Sequence, residues 1–212
     1  MKLTKLEHSC LILEHNGDTI VIDPGAFTRP ASDLRGVVAI VITHEHQDHW
    51  SPEQVAGILE HNPQARIYGP AGVAAAAPQF TVGTVAAGDN ISSGAFSLRF
   101  FGGVHAEIHS SVPLIDNVAV LVNDALYYAG DSFTVPDGVK VDVLAVPSGA
   151  PWLKISESID YVTAVRAKRT FPVHEMVLSD AGKNLANARI ATATEQSGGE
   201  FHPLQPGDSL EI

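Results

Sequence analysis

Residues 43–49 read Thr43-His44-Glu45-His46-Gln47-Asp48-His49 and place three imidazoles and the Asp48 carboxylate within six positions, directly after the apolar run 37–42. Neutral imidazole suits Zn, Fe, Ni and Cu, and a carboxylate adds affinity for harder ions. Side chains alternate along a strand, so a strand end can aim His44 and His46 at one ion. Asp48 and His49, past the turn, can then serve a second. A lone histidine here would read as a polar loop residue; His-x-His-x-Asp-His after a β run reads as a two-metal site.

Three later positions supply what such a site still needs. His105 follows the run 96–104, whose Gly102-Gly103 pair lets the backbone bend. Asp131 follows 126–130, a carboxylate just past an apolar strand and a glycine. His174 comes after 170–173 in the same fashion. Singly, each would be an ordinary hydrogen-bonding loop residue, but behind the first motif they complete the ligands of two ions. His109, four residues beyond His105 and beside Ser110 and Ser111, is a candidate general acid or substrate contact. His8 reads as a buried partner to a ligand or a structural group rather than a ligand itself, and Asp23, before Pro24-Gly25, as a turn carboxylate or a partner to a ligand. Trp152 and Lys154 could touch substrate, although a packing aromatic and a solvated amine are commoner fates. Ser148 and Ser179 lack neighbouring triad partners, which argues against a serine hydrolase.

The elements that must position these residues follow from periodicity and turn chemistry. Runs 11–14 and 19–23 flank Asn16-Gly17, a strong hairpin signal. Residues 37–43 form a nearly unbroken Val/Ile run, as expected of a strand covered on both faces. Ser51-Pro52 caps and opens a helix to about His61, where Asn62-Pro63 stops it. Strands are expected at 66–68, 81–85 and 96–101, with an Ala-rich helix at 72–77. A strand pair at 118–122 and 126–129 surrounds Asn123-Asp124, and 141–146 is wholly apolar. A helix over 156–168 with Ser156 or Ser158 as cap, a strand at 170–173, a helix over 180–197 and β pieces at 200–204 and 209–212 complete the chain. This order suggests two sheets face to face with helices outside.

The chain has 212 residues, 45% of them hydrophobic and 17% charged, with no linker-like stretch, so one domain over 1–212 is expected. A formal charge of −11 from 24 acidic and 13 basic residues argues against nucleic acid as partner, since that affinity comes from clustered Lys and Arg. A small-molecule substrate fits better, and homo-oligomerisation stays open. No apolar stretch is long enough to span a membrane, and the N-terminus lacks a signal-peptide pattern, so a cytoplasmic location is expected. Cys10 is the sole cysteine and reads as a buried hydrophobe.

The set His44-x-His46-x-Asp48-His49, His105, Asp131 and His174 resembles the metallo-β-lactamase superfamily in content, order and spacing. The stretches Glu7-His8-Ser9-Cys10, Ile22-Asp23-Pro24-Gly25 and Pro147-Ser148-Gly149-Ala150-Pro151-Trp152 are similar to its short branch of metal-dependent hydrolases related to ascorbate-phosphate lactonases. The resemblance implies an αββα sandwich of two mixed β-sheets with helices on the outer faces and metals at one edge. It also implies that His44, His46 and His105 hold one ion, that Asp48, His49 and His174 hold the other, and that Asp131 bridges them. Two divalent transition-metal ions are implied, zinc first, with Mn or Fe as alternatives. The sequence shows no exosite arm of the tRNA-processing nucleases, no flavin domain and no cysteine at a metal position. The implied activity is hydrolysis of a small ester, lactone or phosphodiester by a metal-bridging hydroxide, with Asp48 and Asp131 assisting and His109 as acid. The rival readings are a di-iron redox or oxygen-binding protein and a non-enzymatic metal-binding sensor.

Overall fold

The structure, a computed structural model, describes residues 1–212. The chain begins with β1 (Lys2–Lys5), β2 (Leu11–His15), β3 (Asp18–Ile22) and β4 (Val37–Val41), then α1 (Pro52–His61), β5 (Arg66–Gly69), α2 (Ala71–Ala76) and β6 (Val82–Thr84). It continues with β7 (Asn90–Ser93), β8 (Phe96–Val104), β9 (Asp116–Val122), β10 (Leu126–Tyr128) and β11 (Val143–Pro147). The remainder is α3 (Ile155–Val165), β12 (Arg169–Val173), α4 (Asp180–Gln196), β13 (Glu200–Phe201) and β14 (Ser209–Glu211). Two seven-stranded mixed sheets result, ordered β14-β1-β2-β3-β4-β5-β6 and β13-β12-β11-β10-β9-β8-β7.

Strand alternation explains why the sheets stack with helices outside. Ala39 and Val41 of β4 point into a central core, where they meet Val118, Val120 and Val122 of β9 and Val143 and Ala145 of β11. Ile40 and Ile42 face the opposite way and pack with Val55 and Ile58 of α1 and Val73 of α2. On the second sheet, Ala119, Leu121, Leu144 and Val146 pack outward against Tyr161 and Val162 of α3 and Ile190 of α4. Strands buried on both faces read as continuous apolar runs for this reason. Each fully buried aliphatic side chain contributes about 1.5–3 kcal/mol relative to exposure. The fold is the αββα sandwich expected above.

Turn chemistry sets the register. Asn16 and Gly17 both take positive φ (50° and 89°), as do Asn123 and Asp124 (49° and 52°), the pattern of the two-residue turn that matches strand twist. The Ser51 side chain accepts the Gln54 N–H at the start of α1 (3.2 Å). The start of α3 differs from expectation. Lys154, not Ser156 or Ser158, is its N-cap residue, and the Glu157 carboxylate reaches back to accept the Lys154 N–H (2.7 Å). Ser158 is buried instead and donates its hydroxyl to Pro147 O (2.7 Å), tying α3 to β11. Strand β8 also runs three residues beyond the predicted 101, because β9 pairs with it through Gly102 and Gly103 to Val104. No helix is long and apolar enough to cross a membrane.

Direction decides where the loops gather. Strands β1 and β3 both pair antiparallel with β2, and β4 is parallel to β3. Likewise β8 and β10 both pair antiparallel with β9, and β11 and β12 continue parallel. The C-terminal ends of β1, β3 and β4 therefore share one edge of their sheet, and those of β8, β10 and β12 share one edge of theirs.

Candidate metal centre

Every metal-ligand candidate lies just past one of those C-terminal ends, and together they form two groups. His44, His46, His105 and Asp131 form one, and His8, Asp48, His49 and His174 form the other; within each group one nitrogen or oxygen per residue lies within 4.8 Å of the rest. Asp131 stands between them. Its Oδ2 is 3.1 Å from His174 Nε2, 3.4 Å from His105 Nε2 and 3.9 Å from His44 Nε2, while its Oδ1 is 3.1 Å from His49 Nε2. Asp48 Oδ2 lies 3.5 Å from His174 Nε2 and 3.9 Å from His49 Nε2.

Each buried imidazole is oriented by its other nitrogen. His49 Nδ1–H donates to Asp23 Oδ2 (2.7 Å), His174 Nδ1–H to Gly149 O (2.7 Å) and His105 Nδ1–H to Ala106 O (2.5 Å). His44 Nδ1–H donates to the Thr43 hydroxyl (3.0 Å), which donates in turn to Asp23 Oδ2 (2.7 Å). A donor bond at Nδ1 leaves the Nε2 lone pair as the ligating position. Asp23 is wholly buried and also accepts the Thr43 N–H (2.8 Å) and the Tyr128 hydroxyl (2.8 Å). Its carboxylate thus serves as an orienting partner for two imidazoles, the second of the roles its sequence setting allowed.

The fit to metal rests on what these bonds leave over. Nine buried side-chain polar atoms have no hydrogen-bond partner, and five of them fall in this one site: Nε2 of His44, His49, His105 and His174, and Oδ1 of Asp131. An unsatisfied buried polar atom costs about 1–3 kcal/mol, so such a cluster persists where an ion satisfies it. The donor set of imidazoles and carboxylates suits a divalent transition metal.

Several local devices bring the ligands in. His8, Asp23 and His174 follow strand ends with φ of 59°, 47° and 61°, a left-handed conformation costing roughly 1–3 kcal/mol in a non-glycine residue. The main-chain N–H of Asp131 donates to Asn117 Oδ1 (3.0 Å), and Asn117 Nδ2 donates to Ala129 O (2.9 Å), so one side chain frames the turn. Gly25 permits the loop carrying the first motif to approach, since a Cβ there would lie 1.8 Å from Asp48 O.

The carboxylates polarise the site unevenly. Burial pushes His44 well below the ordinary histidine range and, with the neighbouring His105, lowers His46. Burial acts against a proton on His49 too, yet the Asp131 and Asp23 carboxylates outweigh it and hold that residue well above the ordinary value. For His174 burial is likewise overcome, by Asp131 and Asp48, which raise it to about 9. Asp131 and Asp48 are pulled down, against their own burial, by the surrounding histidines. Burial pushes the Cys10 thiol up, in keeping with an inert hydrophobe.

Beside the centre runs a groove of about 520 Å³ whose walls include Trp152, Phe133, Ile108, His109, Lys154 and Glu157. The indole joins groove to centre: Trp152 Nε1–H donates to Asp131 Oδ2 (2.9 Å), and its ring lies 5.7 Å from His105 and 5.9 Å from His174. His109 sits on the exposed groove wall, outside both ligand groups, with Nδ1 bonded to the Ser111 hydroxyl (2.8 Å). Sequence reasoning missed the fully buried Lys5, which pairs with Glu175 (2.6 Å), next to His174. A lysine in a strand carries no signal that it is turned inward.

The model of the beta-lactamase superfamily domain matches residues 2–174, and the chain belongs to that superfamily. Protein Rv0786c of Mycobacterium tuberculosis is 37% identical over 199 residues, covering 92% of this chain and 93% of that one. A UPF0173 protein of Pyrococcus furiosus is 30% identical over 225 residues, covering all of both. Among solved structures, Igni18, a metallo hydrolase of Ignicoccus hospitalis, superposes with a TM-score of 0.75 at 17% identity, over 100% of this chain and 98% of that one. CmlA, a diiron β-hydroxylase of Streptomyces venezuelae, gives 0.78 at 14% identity, over 100% of this chain and 54% of that one. These two likenesses concern the fold.

Proposed function

We propose that this metal-dependent hydrolase is dinuclear and cleaves a small ester, lactone or phosphodiester. The observation that carries the reading is the convergence of four unpartnered imidazole Nε2 atoms and Asp131 Oδ1 from both sheets on one buried site. His44, His46 and His105 would hold one ion, Asp48, His49 and His174 the other, with Asp131 shared. Zinc is the first choice for a histidine-rich set, Mn or Fe the alternatives. Two such ions, when bound, supply a hydroxide nucleophile near neutral pH and a Lewis-acid contact for the oxygen under attack.

The protein's own groups do the remaining work. Asp23 holds His49 directly and His44 through Thr43, which fixes which nitrogen each presents. Trp152 and Asn117 set the orientation of Asp131 from its side chain and its main chain. Asp48, whose side chain is 20% exposed, would take up the proton lost by the attacking water. His109 and Lys154 on the groove wall would contact the substrate, His109 as proton donor to the leaving group.

Metal analysis of protein purified without chelator, followed by an ester, lactone and phosphodiester panel on the same sample, tests this reading. Two ions per chain with turnover of one of these classes is the expected result. Saturation at one ion after reconstitution defeats the dinuclear part, and flat activity across the panel defeats the substrate classes.

A further inference from the structure

We infer that His8 is a positioning residue for Asp48, so that the loop after β1 is part of the metal centre although it supplies no ligand. The inference rests on the two-ion reading. By proximity alone His8 belongs to the group that could hold an ion with Asp48, His49 and His174. Its bonding sets it apart. The Nε2 atoms of His44, His49, His105 and His174 all lack a hydrogen-bond partner, whereas neither ring nitrogen of His8 does. His8 Nε2–H donates to Asp48 Oδ2 (3.1 Å), and His8 Nδ1 accepts the Met176 N–H (3.4 Å). With both nitrogens engaged, the ring has no lone pair free for metal.

Asp48 and His46 are the two partly exposed members of the ligand set, and of the two only Asp48 has a hydrogen-bond partner to hold it. Its side chain is 20% exposed, whereas those of His44, His49, His105, Asp131 and His174 are at most 3% exposed. Its carboxylate has one hydrogen bond outside the ligand set, the one from His8. His8 is itself held on every side. Its carbonyl accepts the His174 N–H (2.9 Å), and its ring packs 4.0 Å from that of His174 and edge-on to Phe27 (5.2 Å). The fixed imidazole therefore selects one carboxylate rotamer for Asp48 and one distance from Asp48 to His174.

Stepwise metal titration against a chromophoric chelator separates this role from its rivals. His8→Ala should weaken the second ion by roughly 10–100-fold, the usual effect of losing a partner that orients a ligand, and leave the first unchanged. His8→Gln, whose amide nitrogen can reach Asp48, should recover most of that loss, whereas His8→Asn, which tolerates the left-handed backbone but is too short, should not. In cobalt-substituted protein the visible absorption of His8→Gln should match the unsubstituted chain, since no ligand has changed. Equal loss in Ala and Gln with an altered cobalt spectrum would make His8 a ligand and overturn the inference. Unchanged affinities in all three variants, or equal weakening of both ions, would overturn it as well. If His8→Ala does not fold, the Gln and Asn pair still decides. Should the unsubstituted chain bind a single ion, the two-ion reading falls by itself, and the claim for His8 then stands or falls on whether that ion follows the same order of variants.

Discussion

The two ligand groups differ in how far their supports lie along the chain. In the first, His44 is oriented by Thr43 and His105 by Ala106, each its immediate neighbour. In the second, His49 is oriented by Asp23, 26 positions away, His174 by Gly149, 25 away, and Asp48 is bonded to His8, 40 away. Ligands of both groups converge only when the two sheets stack, but the imidazoles of His44 and His105 are oriented by their chain neighbours, whereas those of His49 and His174 are oriented only once distant strand ends have met. Damage to tertiary packing should therefore reach the second ion before the first.

Complete chelation has the largest expected effect. It should abolish turnover and lower the melting temperature, because ligands from several strand ends meet only in the folded chain and binding adds RT ln(1 + [L]/Kd), about 4 kcal/mol at a thousandfold excess over Kd. An identical melt after verified stripping would break the picture of metal as part of the fold. Asp131→Asn should come next, costing most of the activity and weakening at least one ion, since Asp131 alone faces imidazoles of both groups. Two retained ions with full turnover would show that the groups are independent.

His105→Ala and His109→Ala test whether the first group ends where the geometry says. His105→Ala should lose first-site metal. His109→Ala should retain both ions and lower kcat by roughly 10²–10⁴-fold if it is a general acid, or raise KM if it only binds substrate. Metal loss in His109→Ala with retention in His105→Ala would exchange their roles. Asp23→Asn is the sharper probe of long-range support. Its effect on metal affinity should be roughly 10–100-fold and greater for the second ion, because His49 feels Asp23 directly and His44 only through Thr43. Equal effects on both ions would erase the distinction.

The smallest effect concerns protons. His174, raised to about 9 from an ordinary 6.5, is protonated at neutral pH without metal and must lose that proton to bind an ion. Metal affinity should rise with pH through this window, and titration calorimetry at pH 7.5 in buffers of different ionisation heat should detect proton release. The sign reverses for the metal-free fold: the stability contributed by charged His174 is complete below 6.5 and fades as pH rises through about 9. A heat independent of buffer would contradict both.

Much of this was legible in the sequence, for identifiable reasons. The run His44 to His49 is compact enough to be read directly, and His105, Asp131 and His174 each follow a recognisable strand. The hairpin turns at Asn16-Gly17 and Asn123-Asp124 and the Ser51 cap are signals confined to a few residues, and they appear where expected. Strand β7 carries no signal of its own, since Asn90-Ile91-Ser92-Ser93 is short and mostly polar and is a strand because β8 pairs with it. The bonds from His8 to Asp48 and from Trp152 to Asp131, and the Lys5–Glu175 pair, span 40, 21 and 170 positions. Such contacts are set by how the sheets pack, and no local pattern announces them. The cap of α3 departs from the local pattern for a related reason: Ser158 is taken up as a buried tether to β11.

The anchored Nδ1 atoms bear on how an ion would leave. A histidine ligand ordinarily lets go by rotating its ring, but at His49 and His174 rotation breaks a buried bond of 2.7 Å. Release would then wait for the strand ends themselves to open, an event on the timescale of local unfolding. A centre of this kind would exchange slowly with its surroundings, so that its metal content would record which ion was at hand when the chain folded, and later changes in supply would reach it only as fast as the protein breathes.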